Sequence, residues 1–206
     1  MRVVAGTAKG RPLKAVPGKN TRPTTDKVKE AIFSMIGPYF DGGLALDLFA
    51  GTGGLGIEVL SRGADKAIFV DREAISIDVI RQNVNAARLA DRSEIYRNDA
   101  DRAVKALAKR GEQFRYIFLD PPYKMTNMDE MLESIASHNL VEQDAIIVIE
   151  HDSSHLYPER FGGFIQRKYS KYGETAVTIY SYQPEQPGDN AAEDGGSADE
   201  QQSAGS

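Results

Sequence analysis

Short apolar runs alternate with longer segments of helical period through the middle of the chain. Five short runs are candidate strands, and four of them are almost wholly apolar, the exception being Ser93–Tyr96: Leu44–Phe49, Ala67–Val70, Ser93–Tyr96, Tyr116–Leu119 and Ala145–Ile149. Each of the first four is followed by apolar residues at helical spacing, as in Ile75, Val79, Ile80 and Val84. Apolar strands separated by helices are typical of a parallel sheet that is covered on both faces.

The pattern changes after Ile149. Phe161–Tyr169 and Ala176–Tyr182 have the composition of two strands, and the segment Lys171-Tyr172-Gly173-Glu174 between them is typical of a hairpin turn. The prediction is therefore an α/β fold, a doubly wound and mostly parallel sheet of seven strands that ends in an antiparallel pair.

The two ends of the chain differ from this central region. Glycines punctuate Arg2–Pro17, which predicts a small β-ribbon, and Thr24–Ile36 predicts a helix capped by Thr24 or Thr25. The apolar stripe of that helix is Ala31, Ile32, Met35 and Ile36. From Pro184 onward there is no Leu, Ile, Val, Phe or Tyr, so disorder is predicted. We divide the chain into an N-terminal extension (1–36), a catalytic domain (37–183) and an acidic tail (184–206).

The formal net charge of −5 conceals an asymmetry along the chain. Residues 1–36 contain eight Lys and Arg residues and only two acids, whereas residues 184–206 contain six acids and no Lys or Arg. The basic residues of the first segment are Arg2, Lys9, Arg11, Lys14, Lys19, Arg22, Lys27 and Lys29. A basic end on an acidic body is typical of a protein that brings one end to a polyanion such as a nucleic acid.

Composition excludes several classes of protein. The absence of cysteine excludes a disulfide scaffold, thiolate metal sites and cysteine nucleophiles. No apolar run approaches the roughly 18 residues of a membrane span, and the first residues do not resemble a signal peptide. His138, His151 and His155 show no metal-ligand spacing. We therefore expect a cytoplasmic protein without a metal site.

A glycine-rich turn follows the first predicted strand. Gly51, Gly53 and Gly56 have the G-x-G-x-x-G spacing, and Asp71 follows 20 residues after Gly51 at the end of the second strand. Strand, glycine turn, helix and acid together match the fingerprint of a nucleotide-type ligand. The alternative is a glycine turn that serves packing alone.

Asp47 indicates which ligand this is. A carboxylate four residues before Gly51 would repel a pyrophosphate but attract the ammonium and sulfonium groups of S-adenosylmethionine. Asp71 is then placed for the ribose hydroxyls. Asn98-Asp99-Ala100, after the third strand, is placed for the adenine, with the alternative that Asp99 only caps the next helix.

The motif Asp120-Pro121-Pro122-Tyr123 directly follows the fourth strand. The Asp120 carboxylate and the Pro121 carbonyl can both accept hydrogen bonds from one amino group. Such a grip favours the pyramidal, positively charged nitrogen that forms when a planar amine attacks a methyl group. Tyr123 offers a ring for stacking. The alternative is a proline-rich turn after a buried strand.

In this order the motifs resemble the amino-methyltransferase branch of the S-adenosylmethionine-dependent methyltransferases, with their Rossmann-like sheet. Together with the stretches Val3–Leu13 and Thr21–Glu30, they resemble the bacterial small-subunit ribosomal RNA guanine-N2 methyltransferases over about residues 1–182. The resemblance implies methyl transfer to the 2-amino group of a guanine in 16S rRNA, free or in the small subunit or its assembly intermediate.

The resemblance also implies roles for individual residues. The implied cofactor-binding residues are Asp47, Phe49, Gly51, Thr52, Gly53, Asp71, Arg72, Asp99 and Ala100. The implied catalytic residues are Asp120, Pro121, Pro122 and Tyr123, and the implied RNA-binding residues are Arg11, Arg22, Pro23, Thr24 and Lys27.

Three other functions remain open from the residues alone. The same motif would serve a different planar amine, such as adenine N6 in DNA or RNA, or a glutamine side chain. The glycine spacing also fits a nicotinamide oxidoreductase. A non-catalytic assembly factor that binds RNA is the third. We expect a monomer, because no exposed apolar helix stands out in the sequence.

Overall fold

The structure, a computed structural model, describes residues 1–17, 25–122, 125 and 127–184. Within these residues the chain forms five α-helices and eight β-strands. The helices are α1 (Asp26–Ile36), α2 (Gly54–Ser61), α3 (Ala74–Ala87), α4 (Ala100–Ala108) and α5 (Met128–Ser137). The strands are β1 (Leu44–Asp47), β2 (Lys66–Asp71), β3 (Ser93–Arg97), β4 (Phe114–Leu119), β5 (Val141–Asp152), β6 (Arg160–Phe161), β7 (Phe164–Tyr172) and β8 (Thr175–Tyr182).

All eight strands form one sheet in the order β3-β2-β1-β4-β5-β8-β7-β6. The first five in this order are parallel to one another. β8 then pairs antiparallel with β5, and β7 and β6 continue the antiparallel part. The predicted α/β class and the antiparallel end of a mostly parallel sheet are therefore confirmed.

The number of strands was wrong by one. The segment predicted as Phe161–Tyr169 is interrupted at Gly162, whose φ of +50° turns the chain. A short β6 therefore precedes β7. β5 is also longer than Ala145–Ile149, because it pairs with β4 from its first residue and with β8 to its last.

Successive side chains of the central strands enter two separate cores. In β1, for example, Ala45 belongs to one core and Leu46 to the other. Helices α1, α2 and α3 pack in the core that contains Ala45, and α4 and α5 pack in the other. Because both faces of β1, β2 and β4 are largely buried, these strands are mostly apolar, which is the pattern seen in the sequence.

Residues 1–36 share the core of the sheet. The predicted ribbon is one antiparallel bridge between Arg2 and Pro12, and Val3 is buried in the same core as the first three helices. Thr25 caps α1 by accepting a hydrogen bond from the Val28 N–H. The predicted stripe of α1 missed Phe33, which is fully buried. The proposed domain boundaries stay a prediction, and residues 185–206 lie outside the described residues.

A buried carboxylate joins the N-terminal segment to the helix that follows β1. Glu58, in α2, accepts hydrogen bonds from the Val4 and Ala5 N–H groups, each at 2.9 Å. It also forms ion pairs with Lys29 at 3.2 Å and Arg62 at 2.9 Å. Lys29 additionally donates to the Arg2 carbonyl. Burial lowers the pKa of Lys29, and the charge of Glu58 opposes that shift.

We expect Glu58→Gln to lower the free energy of unfolding by about 3 kcal/mol or more. The substitution leaves two buried cations without a counter-charge, and breaking a buried ion pair from one side typically costs about 3–5 kcal/mol. Chemical denaturation measures the change.

Asp78→Asn is the matched control, because Asp78 forms an exposed pair with Arg81 at 3.4 Å. Exposed pairs contribute roughly 0–1 kcal/mol. Equal effects of the two substitutions would show that the buried network does not stabilise the fold.

Candidate functional site

The candidate site lies at the carboxyl ends of β1 and β4, between the strands whose following helices pack on different faces of the sheet. The helices after β1 and β2 cover one face of the sheet, and those after β3 and β4 cover the other. The chain therefore leaves the adjacent strands β1 and β4 toward opposite faces of the sheet. In open α/β sheets, ligands bind at the carboxyl ends of two such strands. Asp47 is paired with Phe118, so Asp120 lies two positions further along the same edge. Asp71 is the last residue of β2, and Asp99 follows β3 at the same edge.

The predicted glycine turn connects β1 to α2. Gly51 and Gly53 have φ values of +55° and +77°, a backbone region that residues other than glycine rarely adopt. Gly56 is needed for space, since a Cβ there would lie 2.3 Å from Cε1 of Phe69 in β2. These glycines therefore allow the sharp turn out of β1 and the close packing of α2 on the sheet.

Asp47 is a buried carboxylate at the base of this turn. It is 2% exposed, and its Oδ2 accepts a hydrogen bond of 3.0 Å from the Gly56 N–H. Burial raises the pKa of Asp47 to about 7; the Gly56 N–H lowers it in part and the charge of Asp71 raises it further. A cation bound beside this group would stabilise its ionised form.

Both carboxylate oxygens of Asp71 accept hydrogen bonds from backbone N–H groups. Oδ2 accepts from the Gly51 N–H and Oδ1 from the Glu73 N–H, each at 2.8 Å. An ionised carboxylate offers about four acceptor positions, so each oxygen can accept one further bond. The residue thereby ties the glycine turn to the end of β2 and presents two acceptors in a set orientation.

The other predicted cofactor residues lie in the segments that follow β1, β2 and β3. Asp99 caps α4 by accepting a hydrogen bond from the Asp101 N–H at 3.1 Å, which is the capping role named above as the alternative. A contact of Asp99 with adenine remains a prediction. Ala100, the first residue of α4, is buried, and Arg72 is exposed. Phe49 and Thr52 are half-buried in the turn.

Asp120 is half-buried at the end of β4, Pro121 is buried and Pro122 is exposed. Tyr123, the last residue of the predicted motif, lies outside the described residues. A small pocket opens beside the motif, and its walls are Pro121, Pro122, Met125, His151, Asp152, His155 and Tyr157. Pro121 and Pro122 therefore line this pocket, and Asp120 lies at the same edge of the sheet as the end of β1.

Three rings of the pocket were not assigned from the sequence. His155 and Tyr157 contact edge to face with their centroids 4.4 Å apart, and His151 lies 4.8 Å from Tyr157. His151 Nε2 lies 2.8 Å from Thr178 Oγ1, and burial lowers the pKa of His151. No local pattern signals this cluster, because the pairing of β5 with β8 and the fold of the following loop assemble it.

The predicted RNA-binding residues are only partly described. Lys27 is exposed in the first turn of α1 and Arg11 is half-buried, whereas Arg22, Pro23 and Thr24 lie outside the described residues. Lys29 is one of the eight basic residues that the sequence assigns to the polyanion-facing end, and for this residue the assignment is wrong, because Lys29 is fully buried against Glu58.

Asn83 is a further residue that sequence reasoning missed. Its Nδ2 donates to the Thr52 carbonyl at 2.8 Å and to the Lys14 carbonyl at 3.0 Å, and its Oδ1 accepts from the Lys14 N–H at 2.7 Å. One buried amide thus joins the glycine turn to the basic N-terminal segment. An asparagine on a helix carries no signal for such a role. For Glu58 the sequence does contain a signal, because it is the only acidic residue in a largely apolar helix.

Among residues 1–17, 25–122, 125 and 127–184, no group of three or more His, Asp or Glu side chains is placed to hold a metal ion. Over the same residues, every helix is too short or too polar to cross a membrane.

Comparisons with known proteins agree with the geometry. The family model described as "Conserved hypothetical protein 95" matches residues 1–181. "Putative rRNA methyltransferase YlbH" of Bacillus subtilis is 53% identical over 180 residues, which are 87% of this chain and 98% of the relative. "Ribosomal RNA small subunit methyltransferase D" of Haemophilus influenzae is 28% identical and covers 78% of this chain and 84% of its own length.

A solved structure, "Putative methyltransferase yhhF from Escherichia coli", is similar with a TM-score of 0.75 and 26% identity. The match covers 90% of this chain and 99% of that one. The resemblance to small-subunit rRNA methyltransferases is confirmed by these relatives, and the chain belongs to the family of Conserved hypothetical protein 95.

Proposed function

We propose that this chain transfers a methyl group from S-adenosylmethionine to the exocyclic N2 amine of a guanine in 16S rRNA. The observation that supports it is the position of Asp120-Pro121 beside the acid-lined glycine turn, at the boundary between β1 and β4. The relatives named as rRNA and small-subunit rRNA methyltransferases support the substrate class.

The described residues fit the methyl donor. Gly51 and Gly53 form a turn that brings backbone close to a ligand, and the buried carboxylate of Asp47 suits its ammonium group. Asp71 has one acceptor position left on each oxygen for the two ribose hydroxyls. When bound, the donor supplies an electrophilic methyl group on a sulfonium.

The protein's own part of the chemistry is to prepare the amine. The Asp120 carboxylate and the Pro121 carbonyl would accept the two hydrogens of the –NH₂ group and thereby stabilise the charge that develops on nitrogen. Proline at 121 and 122 restricts the backbone, and neither residue has an N–H donor of its own. The proton is released afterwards to water or to Asp120.

Methylation mapping tests the reaction and the target. We expect 16S rRNA from cells lacking the gene to lose one N2-methylguanine, which purified protein restores with labelled donor. Mass spectrometry of nuclease fragments locates the base. Loss of an N6-methyladenine, or labelling of duplex DNA or protein glutamine, would instead support a different amine. Subunit binding without labelling would support an assembly factor.

We expect Asp120→Ala and Asp71→Ala to affect different steps. Asp120→Ala should lower kcat by about 100-fold or more, since removing one group that stabilises a transition state costs roughly 10²–10³ in rate. Its Kd for the donor should stay within about twofold of the unchanged protein, because Asp120 does not hold the donor. Asp71→Ala should raise that Kd by about tenfold or more through the lost ribose contacts.

Calorimetric titration and initial rates measure the two effects, with thermal unfolding of both variants as the check on folding. An Asp120→Ala protein that fails mainly in binding the donor would contradict the assigned roles. So would an Asp71→Ala protein with unchanged affinity.

Binding of the donor should weaken as pH falls from 7.5 to 6. The pKa of Asp47 is raised to about 7, so acidification protonates this carboxylate and removes its attraction for a cation. If only the ionised form binds, the Kd of S-adenosylhomocysteine, which keeps the ammonium group, rises roughly eightfold over this range.

Asp47→Asn is the matched control, because an amide of the same shape does not titrate. We expect it to bind more weakly at pH 7.5 and to show little pH dependence. A flat profile in the unchanged protein would show that Asp47 does not contact the ammonium group.

A further inference from the structure

Residues 160–173 are basic, although residues 37–183 as a whole contain 17 Lys and Arg residues and 22 acids. The basic stretch includes β6, β7 and the turn between them, and it contains four cations and no acid. The cations are Arg160, Arg167, Lys168 and Lys171, and all four are exposed. A local reversal of charge in an acidic region is typical of a surface that meets a polyanion.

The register of the sheet brings the end of β7 level with the predicted catalytic motif. Leu119 of β4 pairs with Ile149 of β5, so Pro121 and His151, each two positions further on, lie at a similar level. His151 in turn pairs through β8 with Lys171 of β7. Three strand spacings of about 4.8 Å, or roughly 14 Å in all, separate β4 from β7. Lys171 is therefore within the length of a few nucleotides of an amine that is held at the motif.

Contacts on both sides hold the end of β7 in place. Ser153, the first residue after β5, binds the turn between β7 and β8: its N–H donates to the Glu174 carbonyl at 2.8 Å and its hydroxyl to the Gly173 carbonyl at 3.1 Å. The Ser170 hydroxyl of β7 lies 3.5 Å from the Met35 Sδ of α1. A surface whose backbone is already ordered loses less conformational entropy when it binds a ligand.

The two lysines of β7 are available to an anion. Within the described ranges, the ion pairs involve neither Lys168 nor Lys171. Hydrogen bonds from Ser154 lower the pKa of Asp152, and the charge of Lys171 contributes to this shift, so the lysine faces that acid. Asp152 Oδ1 already accepts from the Ser154 N–H and hydroxyl.

The outer side of β7 is open over most of its length. β6 pairs only with Phe164 and Ile165 of β7, and the described sheet ends at β6. Lysines on an open edge also prevent pairing with another chain, a role that needs no ligand. That role explains neither the absence of acids over the whole stretch nor its alignment with the motif, whereas contact with a nucleic acid accounts for both.

We propose that Lys168 and Lys171 bind phosphates of the RNA strand that carries the target base. The choice of RNA rests on the proposed function. Residues three apart on a strand point to opposite faces, so a strand that both lysines contact lies along the open edge of β7 and continues over the end of β5 towards Asp120. Lys14, which Asn83 holds beside the glycine turn, lies on the other side of the crevice. The RNA therefore meets cations on both sides of the site.

Filter binding at several KCl concentrations tests this contact. The two probes are 16S rRNA and small subunits, both from cells that lack the gene. We expect Lys168→Gln combined with Lys171→Gln to raise the Kd for both probes about fivefold or more at about 0.1 M KCl. The slope of log Kd against log salt should fall by about 1.4, because each phosphate contact to a single strand contributes roughly 0.7. The KM for RNA should rise, while kcat stays within about twofold.

Lys105→Gln combined with Lys109→Gln is the matched control. Both residues are exposed at the end of α4, which runs from the carboxyl end of β3 towards the start of β4, so they lie at the opposite edge of the sheet. The control removes the same two charges and should change each Kd by less than about twofold. Lys168→Arg combined with Lys171→Arg keeps the charges and should keep the affinity. An unchanged Kd for S-adenosylhomocysteine in all three proteins excludes a general defect.

Equal losses in the β7 variant and its control would show that net charge alone matters and would overturn the contact. Unchanged RNA binding would also overturn it, and self-association of the β7 variant would then assign the lysines to protection of the edge. A loss confined to small subunits, with an unchanged slope on 16S rRNA, would indicate a protein partner instead. If the unchanged protein binds both probes through these lysines but methylates neither, the proposed function fails and the contact stands.

Discussion

The parallel direction of five adjacent strands is the constraint on which the site depends. In β3, β2, β1, β4 and β5 the carboxyl ends meet at one edge, so residues far apart in sequence become neighbours there. β1 and β4 are adjacent but send their helices to opposite faces, which leaves a crevice that neither helix covers. The glycine turn lies on one side of this crevice and Asp120 on the other.

Buried polar groups fix the N-terminal segment to the same structure. Glu58, Ser61 and Asn83 together bind the backbone of residues 4, 5, 8 and 14. Burying Glu58 and two cations costs desolvation energy, which their mutual attraction and the backbone hydrogen bonds offset. The basic segment is therefore held against α2 and α3, the helices that follow the two strands with the predicted cofactor-site acids.

Like charges at the crevice set its preference for ligands. Asp47 and Asp71 lie at the ends of neighbouring strands, and the charge of Asp71 adds to the burial that raises the pKa of Asp47. A site of this kind repels a pyrophosphate and gains most from a ligand with positive charge near Asp47. The same electrostatics separate a methyl donor from a nicotinamide dinucleotide, although the glycine spacing alone fits both.

The sequence by itself determined the features that depend on neighbouring residues. The period of apolar positions specified strands and helices, and the glycine turn and the proline motif can be recognised because their chemistry requires adjacent residues. Tertiary structure alone decided that Lys29 is buried, that Asn83 joins two segments and that His155 and Tyr157 form a wall beside Pro121. Those outcomes depend on hydrogen bonds and packing between residues tens of positions apart, for which a local pattern contains no information.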